Sequence, residues 1–187
     1  KRKMMHDSEE GRSLVLLTRD CMAAMVPSGA RILLHEGTEV SIVQSLGNSM
    51  TVNVYGNLAR IEKKDADALG LAAEDQYEPM PEGLSLEEQV WHKLKQVYDP
   101  EIPVNIVDLG LIYKVSIDDA KPNIALVTVT MTLTAPGCGM GPVIIEDVKQ
   151  SIFSLDKVTD VEVDLVFDPP WNNSMMSDRA QLELGVL

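Results

Sequence analysis

Two cysteines occur in 187 residues, and one of them, Cys138, lies in the stretch TLTAPGCGMGP, between a strand-like run and a helix-like run. Glycines at 137, 139 and 141 let the backbone turn sharply and let another molecule come close. The first amides of the helix that follows have no intrahelical partners. The positive end of its dipole favours a thiolate over a thiol. Pro142 suits the first helical turn, where no N–H is needed. A thiolate so placed binds iron or zinc, or attacks an electrophile. A free cysteine also fits a tight buried corner, so position alone leaves a chemical and a packing reading open.

Carboxylates come from DPEIPVNIVDLGLIY. If the chain after Tyr98 is extended, Asp99 and Glu101 point to the same side. There they can act as hard oxygen ligands, accept the thiol proton or anchor a partner. Spacing alone favours turn chemistry, with the carboxylates bonding nearby backbone N–H groups. Thr134, four residues before Cys138, offers a hydroxyl to the turn, although a β-branched residue is equally at home on a strand. In FDPPWNNSMMSDRAQLELG, Asp168 precedes proline and is held extended. Trp171 and Met176, with Met140 beside the cysteine, read either as an apolar docking patch or as pins to the core. Arg179 in the first turn of the last helix opposes the helix dipole and predicts a carboxylate partner, Asp168. Cys21 has no glycine turn or helix start near it and reads as packing. A cysteine enzyme would need a base within reach of the sulfur. Of His6, His35 and His92, only His92 on the first predicted helix is a candidate.

These residues need elements to position them. Residues 27–56 alternate apolar and polar at Val40, Ile42, Val52 and Val54, interrupted by glycine turns, which predicts short strands. Residues 72–83, with two prolines and several acidic residues, read as a linker. Ser85 and Glu88 form a capping-box signature, followed by Val90, Leu94 and Val97 on one helix face. The run from Ile124 to Thr134 places Val127, Val129, Met131 and Leu133 on one face and Thr128, Thr130, Thr132 and Thr134 on the other. A helix with Ile144 or Ile145, Val148 and Ile152 inward comes next, then a strand with Val161, Val163, Leu165 and Phe167 inward. The expected fold class is α+β: a disordered tail (1–13), a small β-rich domain (14–71), a linker (72–83) and a compact α/β domain (84–187) ordered helix-strand-strand-helix-strand-helix.

The formal net charge of −13 repels phosphate backbones and anionic lipid heads, so neither nucleic acid nor membrane is an expected partner. No apolar run approaches the ~20 residues that span a bilayer, and a cytoplasmic location is expected. Two cysteines there argue against a structural disulfide. Without paired Cys or His spacing, a self-contained four-ligand zinc site is not expected.

The blocks VYDPEIPVNIVDLGLIYKV, VTVTMTLTAPGCGMG and FDPPWNNSMMSDRAQLELG resemble the three signature blocks of the PaaD-like iron–sulfur assembly domain, in the family's order. The segments LTRDCMAAMVPSG, HEGTEVSIVQSLGNSMTV and LARIEKKDADALG resemble the N-terminal extension of the SufT family of accessory proteins of the bacterial Suf pathway. The resemblance implies a non-enzymatic role in iron–sulfur protein maturation. Its implied partners are Suf-pathway assembly proteins and client apo-proteins. A transient cluster or iron is the implied cargo, with no tightly bound cofactor. It assigns function to Cys138 and places Asp99 and Thr134 near it, with Glu101, Gly137 and Gly139 as support. Cys21, lying in a matching block, gains interest as a secondary thiol. One thiol per chain cannot complete a four-thiolate cluster site, so a homodimer is expected.

Overall fold

The computed structural model describes residues 13–72 and 78–186. Residues 1–12 of the expected tail and 73–77 of the expected linker therefore lie outside the described residues. The fold is α+β, built on two sheets. The front sheet is antiparallel and comprises β1 (Ser13–Leu16), β2 (Cys21–Met25), β3 (Arg31–Leu34), β4 (Glu39–Leu46), β5 (Ser49–Val54) and β6 (Asn57–Glu62). Its spatial order is β1-β4-β5-β6-β2-β3. A 3-10 helix, Lys63–Leu69, follows and ends at Gly70 in the left-handed region (φ 72°). The second half holds α1 (Leu86–Leu94), β7 (Ile112–Lys121), β8 (Ile124–Met131), α2 (Gly141–Phe153), β9 (Val158–Leu165), a short 3-10 turn (Asn173–Met175) and α3 (Asp178–Glu183). β8 pairs antiparallel with β7 and parallel with β9. The parallel pairing requires a crossover, which α2 provides.

Local chemistry fixes these elements. The Ser85 hydroxyl accepts the Glu88 N–H at 3.3 Å and the Glu88 carboxylate accepts the Ser85 N–H at 2.7 Å, a reciprocal cap that starts α1. Val90 and Leu94 of α1, and Ile144, Val148 and Ile152 of α2, are fully buried against Val127, Val129 and Met131 of β8. Two expectations about strand faces need correction. Thr132 is completely buried instead of lying on the polar face. The ladder ends at Met131, and the Thr132 N–H turns to donate to the Leu111 carbonyl at 2.9 Å, which carries the chain into the interior. Leu165 and Phe167, expected inward, are exposed. β9 is an edge strand, and the helices do not reach over its end.

The two halves meet along a seam. One face of the front sheet buries Cys21, Ala23, Met50, Val52, Ala59 and Ile61 in its own core. The opposite face carries Thr51, Arg60 and Ala24 as one cross-strand row. Arg60 is 4% exposed and pairs through Nη2 with the carboxylate of Asp147, itself buried on α2. One helical turn further along α2, the Ser151 hydroxyl accepts from the Asn48 side-chain amide. The Asn48 backbone N–H donates to the Gln96 carbonyl beyond α1 at 3.0 Å. Gly47 packs so closely there that a Cβ would lie 1.9 Å from the Gln96 oxygen.

The C-terminal segment straps the loop between α1 and β7. Ser177 N–H donates to the Asp108 carbonyl at 2.8 Å, the Trp171 indole N–H to the Leu109 carbonyl at 2.6 Å and the Tyr113 hydroxyl to the Pro169 carbonyl at 2.6 Å. Gly110 sits under the strap at φ 78°, where a Cβ would meet the Met175 carbonyl at 2.2 Å. Gly110→Ala is therefore expected to cost more than about 1 kcal/mol, to lower the melting temperature by several degrees and to red-shift tryptophan emission as Trp171 loosens. An unchanged emission maximum and melting temperature would show that the strap is not fastened at this point.

Candidate functional site

Beyond Met131 the chain turns through Thr134–Gly137 and enters α2 at Gly141. The glycines of this turn differ in what demands them. Gly137 has φ +77° and open space around the position of a Cβ, so its requirement is conformational. Gly139 is not in the left-handed region; its requirement is a neighbour. A Cβ there would lie 2.6 Å from the Pro27 oxygen and 2.7 Å from the Ser28 oxygen, both on the β2–β3 hairpin turn of the front sheet. Reciprocally, a Cβ on Gly29 would lie 2.2 Å from the Gly139 oxygen and 3.7 Å from the Val143 side chain. Two backbones thus touch where neither can carry a side chain.

Cys138 is half-buried at the edge of the second core, and its carbonyl accepts the Gly141 N–H at 3.0 Å. α2 has no side-chain cap at its start, and Pro142 occupies its first turn. Thr134, Gly137, Cys138, Gly139 and Met140 share this one turn. Met140, expected to face a partner, is completely buried; as the residue that opens α2 it anchors the turn from beneath. Met176 is likewise buried, and Trp171 is held by its indole hydrogen bond, so both act as pins to the core.

Of the two readings of Asp99 and Glu101, the structure shows the turn and not the same-side pair. Asp99 is buried, and its Oδ1 accepts the N–H of Glu101 at 2.9 Å and of Ile102 at 3.1 Å. That turns the chain after Tyr98, which is not extended, and leaves Glu101 exposed. Asn105 repeats the device one turn on, accepting from Val107 and Asp108. Asp168 and Arg179 are both exposed, and among the described residues no ion pair joins them. His92 shares its Nε2 with the side chain of Gln96, just beyond the end of α1, at 3.2 Å. Among the described residues the Cys138 sulfur forms no hydrogen bond to a histidine, and no group of three or more His, Cys, Asp or Glu is placed to hold a metal ion.

Sequence reasoning missed the Arg60–Asp147 pair, Asn48 and Ser151. The sequence carries no local signal for Asp147: the face Val143, Asp147, Ser151 is buried in the structure, but two of its three residues are polar. Burial pulls the Arg60 pKa down to about 10, opposed by the nearby Glu62 and Asp99 carboxylates.

Cys21 lies on β2, 2% exposed, and burial pushes its thiol up from 9.0 to about 11. It is not a thiol available to partners. The raised value means that the unfolded chain releases this proton first. Its contribution to stability is complete below about pH 9 and is lost as pH rises through about 11. Iodoacetamide at pH 8 is expected to add one label per native chain, on Cys138, with a second on Cys21 only in denaturant. Labelling of both at equal rates in the native protein, read by peptide mass spectrometry, would contradict this.

Comparison with known proteins places these features in a family. The model of a family described as "Iron-sulfur cluster assembly protein" matches residues 87–165. The chain is 52% identical over 106 residues to the Fe-S protein maturation auxiliary factor of Porphyromonas gingivalis, a match covering 57% of this chain and 97% of that one. It is 48% identical over 90 residues to the Fe-S protein maturation auxiliary factor SufT of Staphylococcus aureus, covering 48% of this chain and 98% of that one. A solved structure of a domain of unknown function, DUF59, from Bacillus anthracis is 39% identical and covers 55% of this chain and 93% of that one, with a TM-score of 0.49. About half of this chain accounts for nearly all of each of the two curated relatives, and the family model matches residues that lie beyond the front sheet. The chain belongs to the iron–sulfur cluster assembly protein family.

Proposed function

We propose that this chain is an accessory factor in iron–sulfur protein maturation that helps deliver clusters or iron to client apo-proteins through Cys138. The observation that carries the reading is the setting of Cys138. It is the more accessible of the two thiols, on a glycine turn at the uncapped start of a 13-residue helix, inside the segment matched to the family. Names of the relatives support the maturation role. The cargo is a substrate, held briefly: one thiolate cannot satisfy a cluster, so the remaining ligands come from a second copy of this chain, from glutathione or from the client. A homodimer in the cytoplasm, working with Suf-pathway assembly proteins, fits this chemistry. In this reading residues 84–187 form the assembly domain and 14–71 a β-rich domain added to it. Asp99, through its two backbone bonds, shapes the loop beside the seam.

Anaerobic reconstitution tests the proposal. Native protein is expected to retain iron and acid-labile sulfide after desalting, and Cys138→Ser to lose both while keeping its melting temperature. In cells, the same variant is expected to lower the activity of client iron–sulfur enzymes. Full client activity with Cys138→Ser would remove Cys138 from the mechanism.

A further inference from the structure

The same helix that begins at the Cys138 turn carries the buried seam. Along α2, Val143, Asp147 and Ser151 follow one another at intervals of four residues and share one face, and Gly139 lies in the turn just before the helix. Gly139 touches Pro27 and Ser28, Val143 faces Gly29, Asp147 pairs with Arg60 and Ser151 with Asn48. The contact is specific at each step: two glycines with no room for a Cβ, one buried ion pair and one side-chain amide bond. Arg60 uses one nitrogen in the pair, while its buried Nε and Nη1 have no partner. A surface that only filled space would not bury a guanidinium so incompletely satisfied, because desolvation of such a group is costly.

We infer that Arg60 and Gly29 of the front sheet are positioning residues for the Cys138 turn: the Arg60–Asp147 pair and the Gly29–Gly139 contact hold the start of α2 against the β2–β3 hairpin, which then forms one wall of the approach to the thiol. The front sheet, which lies outside the residues matched by the family model, thereby restricts which molecules reach Cys138. The inference rests on the Cys138 reading for its biological meaning, but its test does not, because thiol accessibility is measured without iron, sulfide or a client.

The experiment is a time course of alkylation by a maleimide-linked polyethylene glycol, read separately at Cys138 and Cys21 by peptide mass spectrometry. Arg60→Met leaves Asp147 buried and unpaired, and is expected to raise the Cys138 rate by about tenfold or more as the seam opens locally. Arg60→Met combined with Asp147→Leu removes both charges, and the rate is expected to return towards the native one. Gly29→Ala drives a Cβ into the Gly139 oxygen and also strains the hairpin, because Gly29 has φ +72°; it is expected to act like Arg60→Met, and Cys21 protection shows whether the front sheet itself stays folded, so it decides the matter if Arg60→Met fails to fold. In every variant Cys21 stays protected, since the front core is untouched. A native Cys138 rate in folded Arg60→Met and Gly29→Ala would overturn the inference. So would a double variant no slower than Arg60→Met, or Cys21 labelling that rises in step with Cys138, the sign of general unfolding.

Discussion

The buried pair between Arg60 and Asp147 is the constraint around which the two halves are arranged. Each partner sits in the middle of its element, Arg60 on β6 between β5 and β2, Asp147 on the second turn of α2. Neither can be withdrawn alone: an isolated buried charge costs several kcal/mol, whereas the pair together comes closer to balance. Such a pair contributes little net stability compared with an apolar contact of the same shape. Its effect is on register, since only one sliding position of α2 on the front sheet brings the two charges together. The glycine contact at one end of the helix face and the Asn48–Ser151 bond at the other are satisfied by that same position.

Fixing α2 fixes the turn that precedes it. Met140, fully buried, ties the turn to the second core from below, and Gly139 ties it to the front sheet from the side. Cys138 lies between these two fastenings, half-buried and bordered by Gly137, whose surroundings are open. A handover site needs this combination. The thiol must be held in one place while a neighbouring stretch of backbone stays clear for a second protein to approach. A cleft of about 310 Å³ on the seam is lined by Asn48, Lys64, Lys93, Asp147 and Ser151 and does not include Cys138.

Much of this was legible in the sequence where a rule acts over a few residues. The Ser85–Glu88 cap, the burial of Val90, Leu94, Ile144, Val148 and Ile152, and the glycine turn at Cys138 all follow from local spacing. What escaped depends on partners far along the chain. Asp147 looks like a solvated helix residue until Arg60, 87 positions earlier, is placed opposite it. Gly139 looks like a conformational glycine until the hairpin arrives to occupy its Cβ position. At Asp99 the turn reading was legible from spacing alone: an aspartate beside proline bonds its own following amides, and that bends the chain out of the extended form that a same-side pair with Glu101 requires. Leu165 and Phe167 kept the alternation of an inward strand face, but alternation does not tell whether a helix extends far enough to cover it.

The account stands on the two halves being locked as one unit, and the chain carries its own probes for that. Both tryptophans, Trp91 and Trp171, lie in the second half, and Cys21 lies in the core of the front sheet. A urea titration followed by tryptophan emission and by pulse alkylation of Cys21 reads each half separately. A locked seam predicts coincident midpoints, as for a single cooperative transition. Cys21 becoming reactive at urea concentrations where tryptophan emission is still native would show the halves unfolding independently, and would contradict the account.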